Sequence, residues 1–96
     1  MADFRVEFGD FDPATMPAIP DGWTDQSWHN DACPCFNTGR GLVVFVDYAD
    51  VSLREIQEDY PRFSVQADPE VHDHNESLLE TDDWSEVLAY VAKEGK

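Results

Sequence analysis

Ninety-six residues carry 21 acids against six Lys and Arg, a net charge of -15 with a pI near 4.1. At 42% hydrophobic, with six Phe, three Tyr and three Trp, the chain has enough apolar material for a single folded domain over residues 1–96, unlike a disordered acidic tail. The charge argues against direct binding to nucleic acid or anionic lipid, both of which share its sign. No apolar run approaches the roughly 18 residues that span a bilayer, and Met-Ala-Asp-Phe-Arg lacks the pattern of a signal peptide, so the expected compartment is the cytoplasm.

In chain order, Phe4, Val6 and Phe8 alternate with Asp3, Arg5 and Glu7, the period of a half-buried strand, and Phe11 fits its extension. Asp12 to Asp21 holds Pro13, Pro17 and Pro20 and reads as a surface loop. Trp28 to Phe36 accommodates a further strand interrupted by Pro34. Gly39-Arg40-Gly41 suits a hairpin turn into Leu42 to Tyr48, the most β-prone segment and the expected central strand. Leu42, Val44, Val46 and Tyr48 would line one of its faces, and Val43 and Phe45 the other. After Pro61, Arg62 to Asp68 alternates again with Phe63, Val65 and Ala67 inward. Asp68 to Asn75 reads as a loop, and Ser77 to Glu80 as a short edge strand.

Trp84, Val87, Leu88 and Val91 follow the i, i+3, i+4, i+7 spacing of a helix with one buried stripe. Asp82 or Asp83 is its N-cap, Glu86 completes a capping box with Asp83, and Lys93 and Gly95 close the far end. The expected fold is α+β: a small antiparallel sheet of three to five strands with one C-terminal helix packed on it.

Chemistry-bearing constellations are sparse. His29, Cys33 and Cys35, with His72 and His74 later, are zinc-ligand types, but one intervening Pro is too tight for the usual cysteine pair. Two free thiols in a reducing compartment are the plainer expectation. Asp10 with Asp12, and Asp47 to Asp50, form no EF-hand loop. Nothing resembles an oxyanion hole or a phosphate loop, so the sequence carries no enzyme signature and calls for no cofactor. Among the aromatic rings, Trp23 in its Pro/Gly/Asp loop is the expected exposed one.

Charge placement says more. Between Arg62 and Lys93, thirty residues contain eight acids and no Lys or Arg: Asp68, Glu70, Asp73, Glu76, Glu80, Asp82, Asp83 and Glu86. Between Arg5 and Arg40 the acids Glu7, Asp10, Asp12, Asp21, Asp25 and Asp31 are likewise unopposed. Spread evenly over about 5,600 Å² of surface, 21 acids would sit roughly 16 Å apart, beyond the ~8 Å Debye length of physiological salt. Gathered in a standard ~800 Å² interface, the eight would be about 10 Å apart with overlapping fields. Such a cluster would offer a basic cleft an imitation of a nucleic-acid backbone.

In size, acidity, α+β plan and the block from Asp68 to Glu86, the chain resembles the small acidic phage-encoded anti-CRISPR proteins, among them those directed against the type I-C Cascade surveillance complex. That resemblance implies a stoichiometric, non-catalytic DNA mimic in the host cytoplasm. It would bind the Cascade effector as a monomer and keep target DNA from docking near the protospacer-adjacent motif site. A generic acidic or halophilic small domain, and a small zinc-binding module using His29, Cys33 and Cys35, remain alternative readings.

Overall fold

The computed structural model describes residues 3–54, 61–68 and 77–95. Within them, five strands pair in sequence order as an antiparallel meander: β1 (Thr24–Asp25), β2 (Cys35–Asn37), β3 (Leu42–Val46), β4 (Phe63–Ala67) and β5 (Ser77–Thr81). The register sets Phe36 beside Val44, Val44 beside Val65 and Val65 beside Leu79, so one continuous face is apolar. Helix α2 (Trp84–Glu94) lays Val87 and Val91 on that face, and the fold is the expected α+β sheet with one C-terminal helix.

The central strand behaves as its sequence predicts. Leu42, Val44, Val46 and Tyr48 belong to the main core with Phe63 and Val65, while Val43 and Phe45 face the opposite side. Ser77 to Glu80 is the edge strand expected, continued by Thr81 and bulged where Val65 and Gln66 face it. In the segment Trp28 to Phe36 the strand starts directly after Pro34, and a two-residue β1 joins it that the sequence did not suggest. The β2–β3 hairpin turns at Gly39 and Gly41, whose φ angles of 74° and 81° lie where side chains with a Cβ are strained.

The N-terminal segment departs from expectation. Phe4–Glu7 is a single helical turn, α1, capped by Asp3, not a strand. Phe4, Phe8 and Phe11 are spaced i, i+4, i+7, so winding the chain sends all three rings to the core and leaves Val6, the middle residue of the alternating pattern, 74% exposed. Asp25 fixes the turn from β1: its carboxylate accepts the Phe4 N–H at 2.7 Å and the Ser27 N–H at 2.9 Å. The Asp12 to Asp21 loop is as expected, with one 3-10 turn at Pro13–Thr15.

Helix α2 is capped by Asp83, but the side-chain partner is Ser85, through its N–H at 3.0 Å and hydroxyl at 2.6 Å. Glu86 contributes its backbone N–H to the Asp83 carbonyl. At the far end Gly95 is required for space: a Cβ there would lie 2.5 Å from the Val91 carbonyl and 3.0 Å from Arg40. Trp84 packs edge-on against Phe63 and Trp23 at centroid distances of 5.0 and 5.9 Å. Trp23 is therefore part of the core margin, and among the described residues the exposed ring is Trp28, 50% exposed and tilted against His29.

Candidate functional site

The meander decides which acids meet. Val46 pairs with Phe63 and Phe63 with Thr81, so the end of β3, the start of β4, the end of β5 and the start of α2 share one end of the sheet. The next residues outward are Asp47, Arg62, Asp82 and Asp83.

Arg62 ties them together. Its backbone N–H donates to Asp82 Oδ1 at 2.8 Å, its Nε to the Asp47 carbonyl at 2.9 Å and its Nη2 to the Thr15 carbonyl at 2.8 Å. The last bond draws in the Asp12 loop. Tyr48 adds Asp10 by donating its hydroxyl to Asp10 Oδ1 at 2.8 Å, and Asp50 begins the second 3-10 turn, Val51–Leu53. Asp10, Asp12, Thr15, Tyr48, Ala49, Asp50 and Leu53 enclose a recess of about 250 Å³. Asp10, Asp12, Asp50, Asp82, Asp83 and Glu86 are all exposed at this end.

These carboxylates are held, not loose. Asp12 accepts the Ala14 N–H, Asp50 accepts from Ser52 N–H and hydroxyl, and Asp83 accepts the same pair from Ser85. The hydrogen bonds from Ser52 and Ser85 favour the charged forms and hold the Asp50 and Asp83 carboxyls below the ordinary range. Helix α2 and both 3-10 turns thus begin with an aspartate, where positive backbone ends favour an anion.

The arginines near this end look inward. Arg54 is buried and donates through Nε to the Tyr48 carbonyl at 2.7 Å, while half-buried Arg62 uses its donors on carbonyls. Burial, with the Arg54 charge beside it, lowers the Arg62 pKa below its ordinary value. The ion pairs between described residues, Arg5 with Asp3 and His29 with Glu7, lie on the N-terminal side and involve none of the clustered acids.

The eight-acid block does not form a single patch. Asp68 follows Ala67 at the opposite end of β4, about 20 Å along the strand direction from Asp82. It is only 7% exposed, accepts from Asn37 Nδ2 at 2.8 Å, and so belongs to the interior. Glu70, Asp73 and Glu76 lie outside the described residues. Glu80 is exposed on the opposite sheet face, beside Ser64, leaving Asp82, Asp83 and Glu86 of the block in the cluster. Asp10, Asp12 and Asp50 complete it. Their signal was the capping pattern: Asp50 and Asp83 each precede a Ser by two residues, and Asp12 precedes a Pro.

No three His, Cys, Asp or Glu side chains gather in a metal-holding group among the described residues. His29 is exposed with Nδ1 on Glu7 at 2.9 Å, whereas Cys33 and Cys35 are buried. Burial first, and then Asp31, Asp25 and Asp68, push the Cys35 thiol up to about 12, the reverse of what a thiolate ligand or nucleophile requires. No described helix is long and apolar enough to cross a membrane. Comparison with protein-family models, curated proteins and solved structures returns no match.

Proposed function

We propose that this chain is a non-catalytic inhibitor that presents an anionic, DNA-like end to a basic nucleic-acid-binding site. The observation carrying the reading is that Asp10, Asp12, Asp50, Asp82, Asp83 and Glu86 are exposed at the Arg62 end of the sheet, the five aspartates each held by a hydrogen bond that its carboxylate accepts. Lys and Arg side chains placed for phosphates gain equivalent charge-assisted hydrogen bonds from oriented carboxylates. Because the five aspartates are already positioned, little of their side-chain entropy is lost on binding.

The partner proposed is a CRISPR Cascade effector complex in the host cytoplasm, bound by one monomer of this chain where target DNA would dock. In the test, purified Cascade is titrated with the protein while its occupancy by target DNA is followed at several salt concentrations. The expected result is competition that weakens steeply with salt. Failure to bind Cascade, or binding that leaves target DNA in place, overturns the reading.

A further inference from the structure

We infer that Val51 and Leu53 are an apolar anchor at the acidic end, and that the partner is a protein with an apolar recess beside its basic residues. The inference rests on the reading above and adds what pure charge imitation lacks. Nucleic-acid backbones carry no aliphatic projections, so these two side chains would separate a protein that recognises this inhibitor from basic surfaces in general.

The turn that carries them is fixed from both sides. At its start Asp50 Oδ1 accepts the Ser52 N–H at 3.0 Å and the Ser52 hydroxyl at 2.7 Å. At its end Arg54 donates its N–H to the Val51 carbonyl at 3.1 Å and reaches inward through Nε to the Tyr48 carbonyl. Held this way, the turn leaves Val51 45% and Leu53 43% exposed. Scattered apolar residues on a surface are ordinary. Leu53 differs in position: it walls the recess shared with Asp10, Asp12 and Asp50, with Val51 on the same turn, so a partner that meets these carboxylates also meets aliphatic carbon.

Charge complementarity selects the occupant. With a net charge of -15, a second copy of the chain and an anionic membrane are both repelled from this end. A basic protein surface is attracted, and the stem of a Lys or Arg can lie along Leu53 while its head meets a carboxylate. Desolvated aliphatic anchors next to charge act mainly on residence time, whereas exposed charges set the association rate and its salt dependence.

The two contributions separate kinetically. Association and dissociation of Cascade are measured for the unsubstituted chain, for Val51→Ser with Leu53→Ser, for Leu53→Met, and for Asp82→Asn with Glu86→Gln, each at three salt concentrations. The serine pair should dissociate about 10-fold faster with unchanged association rate and salt slope, corresponding to the loss of one modest anchor. Leu53→Met should retain the slow dissociation, and the amide pair should lower the association rate and flatten the salt slope. All these side chains are exposed, and thermal unfolding checks that the fold is kept.

Dissociation within twofold of the unsubstituted chain in the serine pair, with the amide pair still impaired, overturns the anchor and leaves the inhibitor reading standing. Absence of Cascade binding by the unsubstituted chain overturns both.

Discussion

The two ends of the sheet differ in what they do with charge. At the end where β3 stops and α2 begins, the arginines turn inward to carbonyls and the carboxylates turn outward. At the opposite end the one described carboxylate following a strand, Asp68, is buried on Asn37, and the exposed cations Arg40 and Lys93 stand among the exposed acids Asp21 and Glu94. Beside Arg40 an open groove of about 680 Å³ runs between Trp23, the hairpin turn and Leu88, Val91 and Ala92. The two ends thus differ in exposure of their cations: Arg54 and Arg62 are turned inward at one, Arg40 and Lys93 are open to solvent at the other. The contrast teaches that sidedness comes from the strand register, not from the linear density of Asp and Glu.

The largest effect should come from reversing charge at one end only. On the proposed inhibitor reading, Asp82→Lys with Glu86→Lys is expected to weaken Cascade binding about 100-fold, in the range for close charge pairs across an interface. Asp21→Lys with Glu94→Lys makes the same change in net charge at the opposite end and should change affinity less than about fivefold. Equal losses in titrations of the two variants would dissolve the difference between the ends.

Next in size is the stability of the clamp. Arg62→Leu removes the donors to the Asp47 and Thr15 carbonyls at a half-buried site and should cost about 3 kcal/mol in denaturant unfolding. Arg40→Gln, on the other end and exposed, should cost almost nothing. A small loss for Arg62→Leu would mean that the Asp12 loop is held by its aromatic neighbours alone.

A smaller and pH-dependent effect is expected at the capping aspartates. Asp50 and Asp83 have folded-state pKa values below the unfolded ones, because their charged forms accept hydrogen bonds from Ser52 and Ser85. The stability they contribute is therefore present above the unfolded carboxyl pKa near 4, and is lost as pH falls through the lower folded values. Asp83→Ala should lower the thermal midpoint at neutral pH by less than Arg62→Leu does, and the deficit should shrink in acid. A deficit that persisted at low pH would assign the effect to helix propensity instead of the cap.

Cys35 gives the opposite sign. Its thiol is raised from an ordinary value of 9.0 to about 12, so the folded state gains nothing from ionisation, and stability falls as pH rises from 9 toward 12. At pH 8 iodoacetamide should modify it far more slowly in the folded chain than in denaturant, and equal rates would show that the strand does not shield it.

These contrasts also show what was legible in the residues. The alternation in Leu42 to Tyr48 and Phe63 to Ala67, and the helix stripe of Trp84, Val87 and Val91, survive because each pattern fits one period and each has a buried face to meet, whereas Leu88 of the expected stripe lies at the open groove. Phe4 and Phe8 satisfy both the strand and the helix template. Only the presence of a core under Phe11, the Asp3 cap and the Asp25 carboxylate on the Phe4 N–H settle them as helix. The acidic block misled for a related reason. Counting along the chain joined Asp68 to Asp82, although a whole strand separates them, and left Asp10 and Asp12 in a separate acidic run and Asp50 outside both, although they reach the site through Tyr48, Thr15 and a 3-10 turn.

The smallest effect concerns the aromatic seam under the acidic end. Trp84 begins α2, meets Phe63 and Trp23 edge-on, and keeps its indole Nε1–H buried with no acceptor. An unpaired buried donor costs free energy, whereas the ring it belongs to gains by burial, so the two contributions oppose each other at one residue. Trp84→Phe removes the orphan donor together with part of the ring and should change stability by less than about 1 kcal/mol, far less than Trp84→Ala at about 3 kcal/mol. If Trp84→Phe matched Trp84→Ala in thermal unfolding, the indole N–H would have to be meeting an acceptor after all. The start of the helix that presents Asp83 and Glu86 would then depend on a polar contact in addition to packing.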